Sequence, residues 1–513
     1  MNRDLFNITD HFFKAAETYP DKAAIIHKHK RITFSELKEE VCATTAYLTS
    51  KGIAKGDRVM LFIPMGMDLY RIVLALFRMG ATAVFLDEWV NRTRMDECCK
   101  VAQCKAFIGI PKARLLALLS AEIRKIPIRL GPTLPKGFTG KTETPETTGS
   151  DTALITFTTG STGTPKAAKR THAFLHAQFG ALLDTINPQP DDIDMPVLPI
   201  VLLINLGAGC TSVISSFKAS KPEAMNAEAI LNQINELGVT RMVSSPFFVK
   251  QLAKHIELKG ARNLPALKNI FTGGAPVFPS EAALYIKAFP KTKIEIVYGS
   301  TEAEPISSID ARELVQEMNH PLPGGLKVGI PYHKVRVRII GIQTNPIHYA
   351  TETELDKRTL PFLQIGEIIV SGEHVLTEYF NNESALKQNK IFIGETCWHR
   401  TGDSGYLDKD GVLYLTGRCN TLIYRDGKIL APFIYENFFQ NIPGVESGTI
   451  LESNSTLFAL LEIKKTGNKA EIIQEANRTG LKGLEIRFIT SIPRDSRHHS
   501  KIDYSRLRLI SGL

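Results

Sequence analysis

The sequence predicts an α/β protein with a large N-terminal domain, built of two α/β sheet subdomains plus a small β subdomain, and a small α+β C-terminal domain. Three observations carry this expectation. Helical and strand patterns alternate over the opening stretch of the chain, an order that implies parallel strand pairing. The same alternation returns across 151–300, and from 326 to 372 short β-type runs take over. The last ~95 residues are then enough for a small independent unit. The boundary is placed at Arg418–Asn420, which gives domains 1–417 and 418–513.

In chain order, a first helix is expected near residue 10. Thr33-Phe34-Ser35-Glu36 reads as a capping box, because the Thr33 hydroxyl can take an amide of the first turn while Glu36 reaches back to Thr33. That helix should end near Gly52. Arg58–Ile63 is a short apolar strand, Met67–Met79 has helical spacing and stops at Gly80, and Ala81–Leu86 is again strand-like. Further on, Ala227–Leu237 is helix-like and Thr240–Ser244 strand-like. Lys334–Ile340 and Glu367–Ser371 are β-type runs, and Asp408-Lys409-Asp410-Gly411 signals a turn.

Met195–Phe217 is uncharged for 23 residues, long enough to cross a bilayer. It also contains Pro196, Pro199, Asn205, Gly207 and Gly209 and lacks an aromatic belt. A buried strand, loop and helix start is therefore expected there instead of a span.

At 513 residues, 43% hydrophobic and 22% charged, the composition is that of a globular enzyme. The 62 basic and 53 acidic residues leave a charge of +9, a mild bias that suits a polyanionic ligand such as a nucleotide, or at most peripheral contact with an anionic membrane. No run of like charges marks a nucleic-acid tail, so no nucleic-acid partner is expected. The seven cysteines (42, 98, 99, 104, 210, 397 and 419) show no paired C-x-x-C spacing. The one cluster, Cys98-Cys99 with Cys104, falls in a predicted helix, so reduced thiols are expected and a zinc site is not. Met1-Asn2-Arg3-Asp4 opens no signal-peptide pattern, and a cytoplasmic location is expected.

The richest stretch chemically is Thr158-Thr159-Gly160-Ser161-Thr162-Gly163-Thr164-Pro165-Lys166. Its hydroxyls and amides are donors, its glycines let backbone approach an anion, and Lys166 adds a point charge. Ile155 and Phe157 precede it as a strand end. It is not a Walker A loop, since Pro165 precedes the lysine and Ala167 follows it. A flexible polar surface loop would read the same way in isolation.

Five more stretches follow. Gly273-Gly274-Ala275-Pro276 comes after the apolar Ile270-Phe271, and its bare backbone could meet a flat purine edge. Tyr298-Gly299-Ser300-Thr301-Glu302 follows the strand-like Ile294–Val297 and offers a ring for stacking, a hydroxyl for phosphate and a carboxylate for magnesium. Arg400-Thr401-Gly402-Asp403 brings a carboxylate suited to ribose hydroxyls, and Gly417-Arg418 a guanidinium for ribose or phosphate. Arg497-His498-His499-Ser500-Lys501 sets a lysine in a basic loop. Taken singly, each also fits an ordinary turn, surface salt bridge or solvated tail.

In this order and near these spacings the stretches resemble the adenylate-forming superfamily of acyl-CoA synthetases, non-ribosomal peptide adenylation domains and firefly luciferase. The resemblance runs from the helix near residue 10 to Lys501. It implies activation of a small-molecule carboxylic acid with ATP and Mg2+ to acyl-AMP and pyrophosphate, then acyl transfer, with coenzyme A as a second substrate. By motif, Thr158, Thr159, Gly160, Ser161, Thr162, Gly163, Thr164 and Lys166 would embrace the β- and γ-phosphates. Gly274, Ala275 and Pro276 would face adenine, with Tyr298 stacked on it and Gly299 beside it. Thr301 would meet the α-phosphate, and Glu302 with Thr158 the magnesium. Asp403 and Arg418 would hold the ribose. Lys501 would bridge substrate carboxylate and α-phosphate, so that Lys501, Thr301, Glu302 and Lys166 form the catalytic set. Both reactants are anions, so the reaction needs charge neutralisation and in-line placement more than a strong base. The resemblance further implies a mobile C-terminal domain hinged at Asn420, with the hairpin Leu422–Pro432 near the thiol acceptor, in a monomer or homodimer.

Where many acyl-CoA synthetases carry a histidine or aromatic residue, this chain reads Pro199-Ile200-Val201-Leu202-Leu203-Ile204-Asn205-Leu206-Gly207. Such an aliphatic lining favours an alkyl substrate, although core packing would also produce it. With Trp398-His399-Arg400-Thr401-Gly402-Asp403 and Arg497–Ile502, it is similar to the β-lactone synthetases of olefin biosynthesis. In those, the hydroxyl of a β-hydroxy acid displaces AMP and coenzyme A is not needed. A non-catalytic adenylate-binding protein is the rival from another class. Retention of Lys166, Glu302 and Lys501 speaks against it.

Overall fold

The computed structural model describes residues 5–513 except 87–91, 118, 136, 139, 141, 159–164, 219–220, 320–323 and 495–501. Two large sheets organise the chain up to Arg418. The first has six strands in the order 128–130, 106–109, 58–62, 82–85, 152–158 and 166–171. All neighbours are parallel except the last pair, where Lys166–Thr171 runs back along Thr152–Thr158. Its central strands are apolar at consecutive positions, Val59, Met60 and Leu61 for example, because helices cover both faces. The capping box forms: the Thr33 hydroxyl accepts from the Glu36 amide at 3.2 Å, and Glu36 accepts from the Thr33 amide at 2.7 Å. The helix it starts spans Phe34–Ser50.

The second sheet starts from an antiparallel edge pair, 23–27 with 30–33, and continues through parallel strands 211–214, 193–196, 241–244 and 269–273. From Lys293–Ser300 onward every pairing is antiparallel. The β-rich region is thus not detached: it continues this sheet where Ser307 and Ser308 pair with Pro331 and Ile330.

The uncharged stretch forms strand Ile193–Pro196, helix Pro199–Ala208 and strand Thr211–Ile214. A complete short helix stands where a loop and helix start were expected. Pro199 occupies its first turn and Gly209, at φ 74°, ends it. Among the described residues no helix is long and apolar enough to cross a membrane. Helix Arg92–Ala102 contains Cys98 and Cys99 and stops before Cys104. All seven thiols are free.

Beyond Arg418, a single turn at Cys419–Thr421 leads into the hairpin Ile423–Arg425/Lys428–Leu430. Asp426 and Gly427 form its turn with φ of 51° and 72°, the left-handed pair a two-residue hairpin requires. A three-stranded sheet (445–453, 456–463, 484–489) then packs with helices around Phe439, Ile450, Leu461 and Ile472. Phe433 of this unit meets Phe278 with ring centroids 5.1 Å apart.

Candidate active site

Thr158 and Lys166 are paired residues at the facing ends of two antiparallel strands. Residues 159–164 lie outside the described residues, as does Lys501. Lys166 itself donates from Nζ to Asn389 Oδ1 at 2.9 Å.

Glu302 sits in the turn between strands Lys293–Ser300 and Ala303–Asp310. Its carboxylate accepts from Tyr379 Oη at 3.2 Å, and its carbonyl accepts from the Leu376 amide at 2.7 Å. The Thr301 carbonyl accepts from Arg170 Nη2 at 3.0 Å, which ties this turn to the first sheet.

Asp403 and Arg418 face each other across adjacent strands. That register explains the ion pair of Arg418 Nη1 with Asp403 Oδ1 at 2.9 Å. The other carboxylate oxygen, Oδ2, accepts from Tyr298 Oη at 2.7 Å. Three strands separate Tyr298 from Asp403 in the sheet order, so the contact exists only because the antiparallel region curls back. Gly274 takes φ 87° just after strand Asn269–Gly273, a conformation that suits glycine and turns the chain toward Ala275 and Pro276. Arg400, by contrast, is not free for a ligand. It is buried, and Nε and Nη2 both donate to Glu367, which locks the strand that carries Asp403.

The electrostatics join these groups into one field. Burial pulls the Lys166 ammonium below its ordinary value, the Glu302 carboxylate opposes that and the Arg418 guanidinium adds to it. Asp403, with burial opposing and Tyr298 and Glu302 assisting, raises Arg418. Burial and the Asp403 carboxylate push the Tyr298 phenol well up. Behind Lys166 lies a second lysine, Lys390, which is 2% exposed. Burial pulls it down to about 8, while Cys397 and Glu302 act to raise it. Neighbouring His399, also buried, is pushed well below the ordinary imidazole value by burial and then by Lys390. Sequence reasoning missed Tyr379, Asn389, Lys390 and Arg170, because they matter through contacts that cross between sheets and carry no local motif.

Among the described residues no group of three His, Cys, Asp or Glu side chains could cage a metal. One carboxylate, Glu302, with hydroxyls beside it, suits an ion that keeps its waters and takes its other ligands from substrate phosphates, as Mg2+ does. The residues fit.

Separately, helices Asp10–Thr18, Met67–Arg78, His172–Ile186 and Pro199–Ala208 enclose a narrow apolar cleft of about 40 Å3, lined in part by Leu74, Phe77, Leu175, Leu203 and Ile204. Buried Gln178 lies on its wall, and neither its amide oxygen nor its nitrogen has a hydrogen-bond partner.

The two sheets, with Lys166 at the end of a strand of one and the Tyr298–Asp403–Arg418 cluster on the other, belong to an enzyme that forms adenylates. The chain belongs to the AMP-binding enzyme family, which it matches over residues 12–380. It is 28% identical to an olefin beta-lactone synthetase of Stenotrophomonas maltophilia, over 99% of this chain and 98% of that one. It is 26% identical to a 2-succinylbenzoate–CoA ligase of Bacillus cereus, over 84% of this chain and 82% of that one. The amide bond synthetase McbA of Marinactinospora thermotolerans shares the fold, with a TM-score of 0.80 at 21% identity over 98% and 99% of the two chains. The protein is an AMP-forming acid ligase.

Proposed function

We propose that the acid is a β-hydroxy fatty acid and that its own hydroxyl is the acyl acceptor. A carboxylate oxygen attacks the α-phosphorus of ATP, the bond to the β-phosphate oxygen breaks, and pyrophosphate leaves. The β-hydroxyl oxygen then attacks the acyl carbon, its proton passes to water, and AMP departs as the lactone closes.

The observation that carries this reading is the end-to-end similarity to an olefin beta-lactone synthetase. The apolar cleft beside Leu203 and Ile204 supports an alkyl substrate, with Gln178 able to serve a hydroxyl. At about 40 Å3 the cleft must widen to admit a chain.

In this reading Lys166 and the 158–164 loop bind the outer phosphates, Asp403 and Arg418 the ribose, and Tyr298 and Gly274–Pro276 the base. Thr301 takes an α-phosphate oxygen, Lys501 draws substrate carboxylate and α-phosphate together, and Glu302 with Thr158 holds magnesium. When bound, the ion neutralises phosphate charge.

Transfer to coenzyme A is the second reading. The hairpin that follows Asn420, which resembles the segment near a thiol acceptor, favours it. Incubation with ATP, Mg2+ and fatty or β-hydroxy fatty acids, with and without coenzyme A, separates the two. Lactone and AMP without coenzyme A support the first reading, thioester and AMP the second, and ADP as product excludes both.

A further inference from the structure

Lys390 is almost completely buried, yet it forms no salt bridge among the described residues. A cation out of water without a paired carboxylate is costly, and among the described residues two contacts hold its head. Its Nζ donates to the Leu376 carbonyl and stands 5.5 Å from the centre of the Tyr379 ring. Those same two residues hold Glu302, Leu376 through its amide and Tyr379 through its hydroxyl.

The segment 375–380 is also the strap between the two sheets. Val375 bridges to Ala303, next to Glu302, and Tyr379 bridges to Ala168, two residues from Lys166. The Phe380 amide donates to the Ala167 carbonyl at 2.8 Å, and Lys169 Nζ pairs with Glu378 at 2.6 Å. Lys390 thus grips, from behind, a piece of chain fastened at one end to the Glu302 turn and at the other to the Lys166 strand. Asn389, its neighbour in sequence, accepts from Lys166 directly.

We propose that Lys390 is a positioning residue that, through Leu376 and Tyr379, sets the Glu302 carboxylate at the distance from Lys166 that a magnesium–triphosphate requires. This rests on the nucleotide reading above. The cluster of Tyr298, Asp403 and Arg418 lies outside the strap, so nucleoside recognition should be indifferent to Lys390.

The test measures equilibrium binding of Mg-ATP, of ATP in EDTA and of AMP to the full chain by calorimetry, for wild type, Lys390→Met and Tyr379→Phe. Lys390→Met should lose about tenfold or more in Mg-ATP affinity, as supports of metal ligands commonly do, with AMP binding nearly unchanged. Tyr379→Phe, which removes only the hydroxyl, should show the same selective loss to a smaller degree. Wild-type Mg-ATP affinity in Lys390→Met, or equal losses for Mg-ATP and AMP, overturns the proposal. If Lys390→Met does not fold, wild-type Mg-ATP affinity in Tyr379→Phe still overturns the relay through Tyr379, because that variant deletes the one atom that joins the ring facing Lys390 to Glu302. Failure of wild type to prefer Mg-ATP over ATP in EDTA would overturn the nucleotide reading and this inference with it, a result distinct from failure of the variants alone.

Discussion

Tyr298 Oη donates to Asp403 Oδ2 at 2.7 Å while Arg418 holds Oδ1 of the same carboxylate, so both oxygens of Asp403 are oriented before any ligand arrives. A carboxylate fixed in this way is ready to accept from a vicinal diol. Asp403→Asn keeps the shape and removes the charge. Hydrogen bonds to charged groups contribute roughly 1.5–3 kcal/mol, so AMP affinity should fall by about ten- to a hundredfold. Tyr298→Phe, which keeps the ring, should cost less than Asp403→Asn. Calorimetric titration with AMP measures both, and unchanged affinity in Asp403→Asn would remove Asp403 from the ribose site.

Lys501→Ala should slow acyl-AMP formation by about 10²–10³, the usual effect of removing a donor that acts on developing charge. Three residues further on, Tyr504 is held by Glu436 and by Thr449 at 2.8 Å, which anchors the chain just after the lysine. ATP–pyrophosphate exchange is the assay. A near-wild-type rate in the variant would refute the role.

Much of this was legible in the sequence because the chemistry is written in contiguous turns. Thr158 and Lys166, Tyr298–Glu302 and Gly417-Arg418 lie at strand ends, where turn residues and small residues mark the backbone, whereas Arg400–Asp403 falls inside strand Thr396–Leu407. The opposition of Asp403 and Arg418 follows from strand register alone. The Tyr298–Asp403 contact was not legible, since it depends on how far an antiparallel sheet curls. The strap at 375–380 was hidden for a related reason: it fastens residues more than a hundred positions apart by main-chain bridges, which leave no pattern in side-chain identity. The helix Pro199–Ala208 was only half read, because an uncharged apolar run has no periodicity to separate helix from strand.

Asn420→Pro tests domain alternation. Asn420 lies in the single turn between the Arg418 strand and the Ile423–Leu430 hairpin. Proline would fix φ there and restrict Cys419 as well. Acyl-AMP formation should persist while the second step, lactone closure in the proposed reading, is lost. Equal loss of both steps would count against a rotation at this position.

Glu436 offers a pH prediction in the C-terminal unit. It accepts from Tyr504 and, at 3.5 Å, from Thr449, and burial raises its carboxyl from 4.5 to about 7 despite those bonds and Arg494. The unfolded chain releases this proton near 4.5 and the folded chain near 7. Between those values the folded state binds more protons. The associated stability is complete below about 4.5 and is lost as pH rises through about 7. Glu436→Gln cannot titrate but keeps an acceptor for Tyr504. Relative to wild type, it should gain on the order of 2 kcal/mol between pH 4.5 and pH 8, less than the full shift implies because the site is partly exposed. Denaturant unfolding of both full-length proteins at the two pH values measures that difference. Parallel pH dependence in wild type and variant would show that Glu436 already ionises at its ordinary value in the folded chain, and that its contacts with Tyr504 and Thr449 compensate for burial.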